Sequence, residues 1–190
     1  EGIHDAFVDR VCAVMKNLRI GDARAPKTQI GPVASEAQLT INKSYVTQAV
    51  AEGAKLAAGG SEVTSKTPGH YFAPALFTDV PPEAPVMRDE VFGPISAVLR
   101  VPDYDAALAA ANDSDFGLSA GIISQDAVRI EHFSQNAEAG MIQVNLPTAG
   151  MDFHAPFTGR KGSSYGAPEK GSYCREFFTM AKVVHEGRGR

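Results

Sequence analysis

Two cysteines, five histidines and two clusters of mixed polar and aromatic residues are the parts of this 190-residue chain with the means to do chemistry. A nucleophile needs a neighbouring base or an electropositive niche to become reactive. Cys12 follows Val11 within an apolar-periodic segment and reads as a small buried hydrophobe. Cys174 sits beside Arg175, which would favour the thiolate, yet packing is the simpler role. His4, His70, His132, His154 and His185 show no HxxxH or similar ligand spacing, so no metal site is expected. His154 stands apart because it lies in a glycine-rich stretch beside Phe153 and Phe157. Neither GxGxxG nor GxxxxGK[ST] occurs, so any dinucleotide is expected to bind mainly through other residues.

The first cluster is Arg88-Asp-Glu-Val-Phe-Gly-Pro94. One reading makes it a turn leading into a strand, with Gly93-Pro94 setting the geometry. The other notes that Glu90 and Phe92 are two apart, so on an extended chain they present a carboxylate and a ring on one side. A carboxylate suits ribose hydroxyls, and an aromatic face packs on a flat heterocycle. The second cluster runs from Val144-Asn-Leu-Pro147 through Phe153-His-Ala-Pro-Phe-Thr-Gly-Arg-Lys-Gly-Ser-Ser-Tyr-Gly166. It begins where a strand ends, the place at which open α/β sheets put their sites, although a lid or a docking surface fits it equally.

The elements that must position these clusters follow from apolar spacing. Ile3, Phe7, Val11, Val14 and Leu18 predict an amphipathic helix over residues 3–18. Ser35 and Gln38 form a capping box opening a second helix, expected to continue to about Ala58 and close at Gly59-Gly60. Residues 71–77 predict a short strand, placed towards a sheet edge by Pro74. Strands over 95–101, 118–123 and 141–144 alternate with an alanine-rich helix ending near Asn112 and a helix from Ala127 to Asn136 behind an Asp126 cap. Such alternation is the signature of βαβ units on a largely parallel sheet. A long loop over 146–172, a short helix over 168–178 and a final strand over 181–185 complete the chain.

Composition narrows the function. With 18 basic and 22 acidic residues interspersed to a net charge of −4, nucleic acid and anionic membrane surfaces are not expected partners. Sparse cysteine points to a reducing compartment, and with no apolar run long enough to span a bilayer and no export signal the expectation is a cytoplasmic protein.

Taken together, the clusters resemble the aldehyde dehydrogenase superfamily. Glu90-Val-Phe-Gly-Pro94 is similar to its E-[IV]-F-G-P, Asp115-Phe-Gly-Leu-Ser-Ala120 to its YGLSA strand, Ala139-Gly-Met-Ile-Gln-Val-Asn145 to AG-x-V-W-VN, and Pro156-Phe-Thr-Gly-Arg-Lys-Gly-Ser163 to PFGG-x-K-x-S. All four occur in the family's order. The resemblance implies an α/β, three-layer catalytic domain with a largely parallel sheet flanked by helices, over residues 1–178. A terminal oligomerisation strand and tail would occupy 179–190.

The resemblance further implies NAD or NADP as cofactor, held mainly by an N-terminal half not represented here, with Glu90 on the nicotinamide ribose and Phe92 against the nicotinamide ring. Met151 and Phe157 would line the aldehyde pocket. The nucleophilic Cys and the general base would precede residue 1, so no catalytic residue is expected in the chain, no metal is expected, and the 190 residues alone would be inactive. The implied reaction oxidises an aldehyde to an acid through a Cys thioester, in a homo-oligomer formed through the terminal strand. Asn145-Leu-Pro-Thr-Ala-Gly150, His154 and Gly162-Ser-Ser-Tyr-Gly166 look similar to the 2-oxoglutarate semialdehyde branch.

Two departures stand out. Gln143 replaces the family's Trp, and Thr158 replaces the first Gly of PFGG, where backbone freedom is often needed. Arg160 and Lys161 are candidates to meet a substrate carboxylate, with surface solvation the simpler role. Two other classes compete with the oxidation: a CoA-acylating relative, and a non-catalytic assembly module that pairs through its edge strand.

Overall fold

The computed structural model describes residues 1–150, 152–187 and 189. The chain divides into two compact units, Glu1–Asp103 and Tyr104–Arg190.

In the first unit, α1 (His4–Met15) is followed by α2 (Glu36–Ala51), β1 (Lys55–Ala58), β2 (Ala75–Thr78), α3 (Pro85–Arg88) and β3 (Ile95–Val98). The Ser35 half of the expected capping box forms, its hydroxyl accepting from the Gln38 amide at 3.1 Å, while the Gln38 side chain donates to Asn42 and Val91. The helix stops sooner than its composition suggests. Gly53 takes φ +98°, a conformation that closes helices, and 55–58 then form a strand where helix was expected. Gly59 and Gly60, also left-handed, turn the chain after that strand instead of ending α2. A Cβ at Gly59 would stand 1.7 Å from the Pro74 carbonyl oxygen, so the close passage of these two segments requires glycine.

β2 is central, not an edge strand: it pairs antiparallel with β1 and parallel with β3. Pro74 does not weaken it because the proline lies just before the ladder, whose first amide, Ala75, donates to the Pro94 carbonyl at 2.9 Å. Every residue of β2 is buried. Its Phe77 packs with Phe72, Leu39, Val46, Ala49, Ala54 and Val80 in the core of this unit, so the apolar face of α2 covers the sheet. α1 lies beside β1, with the half-buried Cys12 thiol 3.7 Å from the Ala57 carbonyl.

The second unit contains α4 (Tyr104–Asn112), β4 (Phe116–Gly117), β5 (Ser119–Ile122), α5 (Ala127–Asn136), β6 (Met141–Val144), β7 (Arg160–Lys161), a 3-10 turn (Gly171–Tyr173) and α6 (Cys174–Phe178). β5 and β6 pair in parallel around α5, the expected βαβ unit. α5 begins where its cap predicts, with Asp126 accepting from the Val128 and Arg129 amides at 3.0 and 3.2 Å. Phe133, Ala137, Ala139 and Met141 are buried here. Beyond α6 the predicted strand over 181–185 is not formed, and the segment is exposed. A strand needs a hydrogen-bonded neighbour, and the described residues of this single chain give it none.

Candidate functional site

The Glu90-to-Pro94 motif spans the gap between α3 and β3. Pro85 at the first turn of α3 favours a tight helical start, and α3 ends at Asp89, whose amide donates to the Pro85 carbonyl at 2.8 Å. The chain leaving it does not run straight. Phe92 has φ +53°, a left-handed conformation that costs a side chain with a Cβ about 1–3 kcal/mol and persists only where surroundings impose it. The simple alternation that would put Glu90 and Phe92 on one side of an extended chain is therefore broken at Phe92. Its ring is nonetheless 84% exposed, and Glu90 is exposed as well. The ring is thus available to a flat partner.

One face of α2 packs against this turn. Gln38, Asn42 and Tyr45 fall four and three residues apart, the spacing of one helical stripe. Gln38 Nε2 donates to Asn42 Oδ1 at 2.9 Å and to the Val91 carbonyl at 3.3 Å. Tyr45 Oη donates to Asp89 Oδ2 at 2.9 Å. That bond stabilises the neutral phenol and raises the Tyr45 pKa above its ordinary value. Asn42 is 0% exposed and lies directly against Gly93, where a Cβ would stand 2.2 Å from its Oδ1. Its Nδ2 is buried without a hydrogen-bond partner, at a cost of about 1–3 kcal/mol. Asn42 and Tyr45 were missed in the sequence, and Gln38 was read only as a helix cap. The available signal was a polar stripe on a helix whose other face is apolar.

The second cluster lies in the other unit and is described by itself. Met151 lies outside the described residues. Phe157 is half-buried on a short antiparallel bridge, its amide donating to the Glu169 carbonyl at 2.7 Å and its carbonyl accepting from Glu169 at 3.1 Å. The Lys170 ammonium stands 4.8 Å from the centre of its ring. Thr158, the β-branched departure, is not in the left-handed region and so is accommodated without backbone strain. Asn145 does take φ +55°, and its amide clips Ser124 at both backbone groups, accepting from N–H and donating to C=O at 2.9 Å each. This clip fixes the direction in which the loop leaves β6.

Lys161 is exposed but held by its neighbours. Its ammonium contacts Glu138 at 2.6 Å and donates to the carbonyls of Asn112 and Ser114 at 2.5 and 2.9 Å, so it ties the β7 turn to the end of α4. His154 is exposed, bonded at Nδ1 to Asp152 at 3.1 Å, with its ring stacked 3.8 Å from that of Phe153. Cys174 is exposed rather than packed, and Cys12 lies beside a carbonyl rather than a base. His4 alone among the histidines is buried. Among the described residues, no group of three or more His, Cys, Asp or Glu is placed to hold a metal ion, and no helix is long and apolar enough to cross a membrane.

The sequence model of the "Aldehyde dehydrogenase family" matches residues 1–184. The chain belongs to that family. Among curated aldehyde dehydrogenases, it is 39% identical to the alpha-ketoglutarate semialdehyde dehydrogenase of Haloferax volcanii, covering 98% of this chain and 39% of the relative. It is 36% identical to the alpha-ketoglutaric semialdehyde dehydrogenase of Bacillus subtilis, covering 96% and 38%. It is 38% identical to a betaine aldehyde dehydrogenase of Cereibacter sphaeroides, covering 100% and 38%. The NAD+ complex of an aldehyde dehydrogenase from Bacillus cereus superposes with a TM-score of 0.89 at 29% identity, over 97% of this chain and 37% of that one. The α/β aldehyde dehydrogenase fold expected from the motifs is thus the observed one. The chain spans about two fifths of the length of these curated relatives.

Proposed function

We propose that the chain is the C-terminal part of an enzyme that oxidises a semialdehyde, such as 2-oxoglutarate semialdehyde, to its acid with NAD or NADP. The observation that carries this reading is the exposed Phe92 ring, two residues after the exposed Glu90 within the matched motif, on a left-handed backbone turn. A nicotinamide nucleotide offers what these groups fit: a ribose with two hydroxyl donors for Glu90 and a flat ring for Phe92. When bound, the nucleotide accepts a hydride from the aldehyde carbon, while water supplies the second oxygen of the acid and a proton is released. Glu90 holds the ribose as acceptor, and Phe92 fixes the plane in which the nicotinamide lies.

Phe157 lines the aldehyde pocket, and the thioester-forming Cys is neither Cys12 nor Cys174, which lie outside the matched motifs. The two semialdehyde dehydrogenase relatives support the substrate class. The enzyme is cytoplasmic and works as a homo-oligomer, and the exposed Phe178, Met180, Val183 and Val184 support the association. The 190 residues alone are inactive.

Steady-state kinetics of the full-length protein with 2-oxoglutarate semialdehyde, betaine aldehyde and both nucleotides tests the reading. Glu90→Gln and Phe92→Ala are expected to raise KM for the nucleotide while leaving KM for the aldehyde within about twofold. Equal nucleotide KM in parent and both variants refutes the assignment, and acyl-CoA formation in place of the acid replaces the reaction.

A further inference from the structure

We propose that Gln38, Asn42 and Tyr45 are positioning residues of the Glu90–Phe92 turn: a polar stripe on α2 that holds the backbone of residues 89–93 so that the Phe92 ring projects outward in one fixed direction. The inference rests on the assignment of Glu90 and Phe92 to the nucleotide and names the residues that act through them.

The geometry is a three-point grip. Tyr45 holds the start of the segment through the Asp89 carboxylate, 2.9 Å away. Gln38 holds its middle through the Val91 carbonyl, at 3.3 Å, and at the same time orients Asn42 through a 2.9 Å bond. Asn42 forms the floor under Gly93, close enough that even one methyl group there would collide with its amide oxygen at 2.2 Å. Between the second and third points sits Phe92, at φ +53°. A left-handed residue with a large side chain relaxes towards ordinary φ unless both neighbours are fixed. Here Val91 and Gly93 are the neighbours fixed.

A purely stabilising role does not fit Asn42. It is 0% exposed, and its Nδ2 lacks a partner, so an apolar side chain would satisfy burial better. Retaining an amide there serves the carbonyl oxygen, which accepts from Gln38 and limits the approach of Gly93. The stripe therefore trades stability for the position of the turn. In catalytic terms it pre-organises a ring that must meet the nicotinamide plane, and pre-organisation appears in cofactor affinity.

The test uses the full-length protein and the variants Gln38→Met, Asn42→Ala, Tyr45→Phe and Phe92→Ala, with the doubles Gln38→Met/Phe92→Ala and Tyr45→Phe/Phe92→Ala. Gln38→Met removes the donor at nearly constant volume, and Tyr45→Phe removes only a hydroxyl, so the test does not hang on whether Asn42→Ala folds. Gln38→Met is expected to raise the nucleotide KM about fivefold to tenfold, the equivalent of one lost hydrogen bond, with the aldehyde KM within about twofold of the parent. In the Phe92→Ala background the same change is expected to add nothing, because the ring through which it acts is gone.

A Gln38→Met effect that multiplies with Phe92→Ala, or that raises both KM values together, overturns the proposal and makes the stripe a general brace. A nucleotide KM unchanged in Gln38→Met and Tyr45→Phe, while Phe92→Ala raises it, overturns the proposal and leaves the site assignment standing. If Phe92→Ala itself is silent, the site assignment fails, and the stripe fails with it as a positioning device.

Discussion

Gly93→Ala isolates the contact on which the turn depends. Gly93 is not in the left-handed region, so alanine carries no dihedral penalty and the cost is steric. The new Cβ would lie 2.2 Å from Asn42 Oδ1, 2.9 Å from its Cγ and 3.1 Å from its Nδ2. Relieving the closest of these requires a shift of about 1 Å in a side chain packed to interior density. Asn42 cannot swing aside, being fully buried and bonded to Gln38, so the turn has to lift. Overpacking of this kind costs about 1–3 kcal/mol. Denaturant unfolding of parent, Gly93→Ala, Asn42→Ala and the double variant closes a cycle. The double variant should recover about 1–2 kcal/mol relative to additivity, because removing the amide makes room for the methyl. Gly93→Ala within about 0.5 kcal/mol of the parent, or strict additivity in the cycle, refutes the reasoning.

Three further outcomes follow from other contacts. Lys161→Met should destabilise the protein by about 1–2 kcal/mol, the value of losing two backbone acceptors and a partly solvent-screened ion pair, as measured by urea midpoint. The Tyr45 phenol has a pKa raised above 10.0 by its bond to Asp89, so its stabilisation is complete below pH 10 and is lost as pH rises through the higher folded value. Absorbance titration should show a tyrosine ionising late, absent in Tyr45→Phe. Asp22, held by the Arg24 side chain and then the Arg24 amide, has its pKa lowered to about 2. Its contribution is present above 3.8 and is lost as pH falls through about 2. Carboxyl NMR should place that midpoint below those of exposed aspartates, and Arg24→Ala should return it to the ordinary range.

Where a side chain alone sets a boundary, the fold was legible. Asp126 starts α5 and Ser35 starts α2 because each cap satisfies amides in its own first turn. Legibility failed where distant residues decide. The segment around Lys55-Leu-Ala-Ala58 is helix-prone by composition, yet Gly53 stops α2 and β2 recruits the next residues as a strand. Pro74 suggested an edge, but its missing amide falls one residue before the ladder needs it. The same division holds at the site. Glu90 and Phe92 stand out by type and motif, whereas the left-handed turn at Phe92 packs on α2, half the unit away in sequence, and no local residue pattern announces it. The strand expected over 181–185 depends on a neighbour that the described part of this chain does not supply.

Lys161 also bears on the order in which its unit takes shape. The clip between Ser124 and Asn145 joins residues 21 apart, while Ser163 to Gly117 and Lys161 to Asn112 join residues 46 and 49 apart. Closing the longer loop costs more chain entropy, and its short two-residue ladder returns little until the neighbouring β5–α5–β6 unit stands. The Phe157 segment is therefore expected to dock late, after the rate-limiting barrier. Loss of the Lys161 ammonium should accordingly hasten unfolding while leaving the refolding rate almost untouched. The Lys161 ammonium would thus bear on how long the loop keeps its place more than on how fast it finds it.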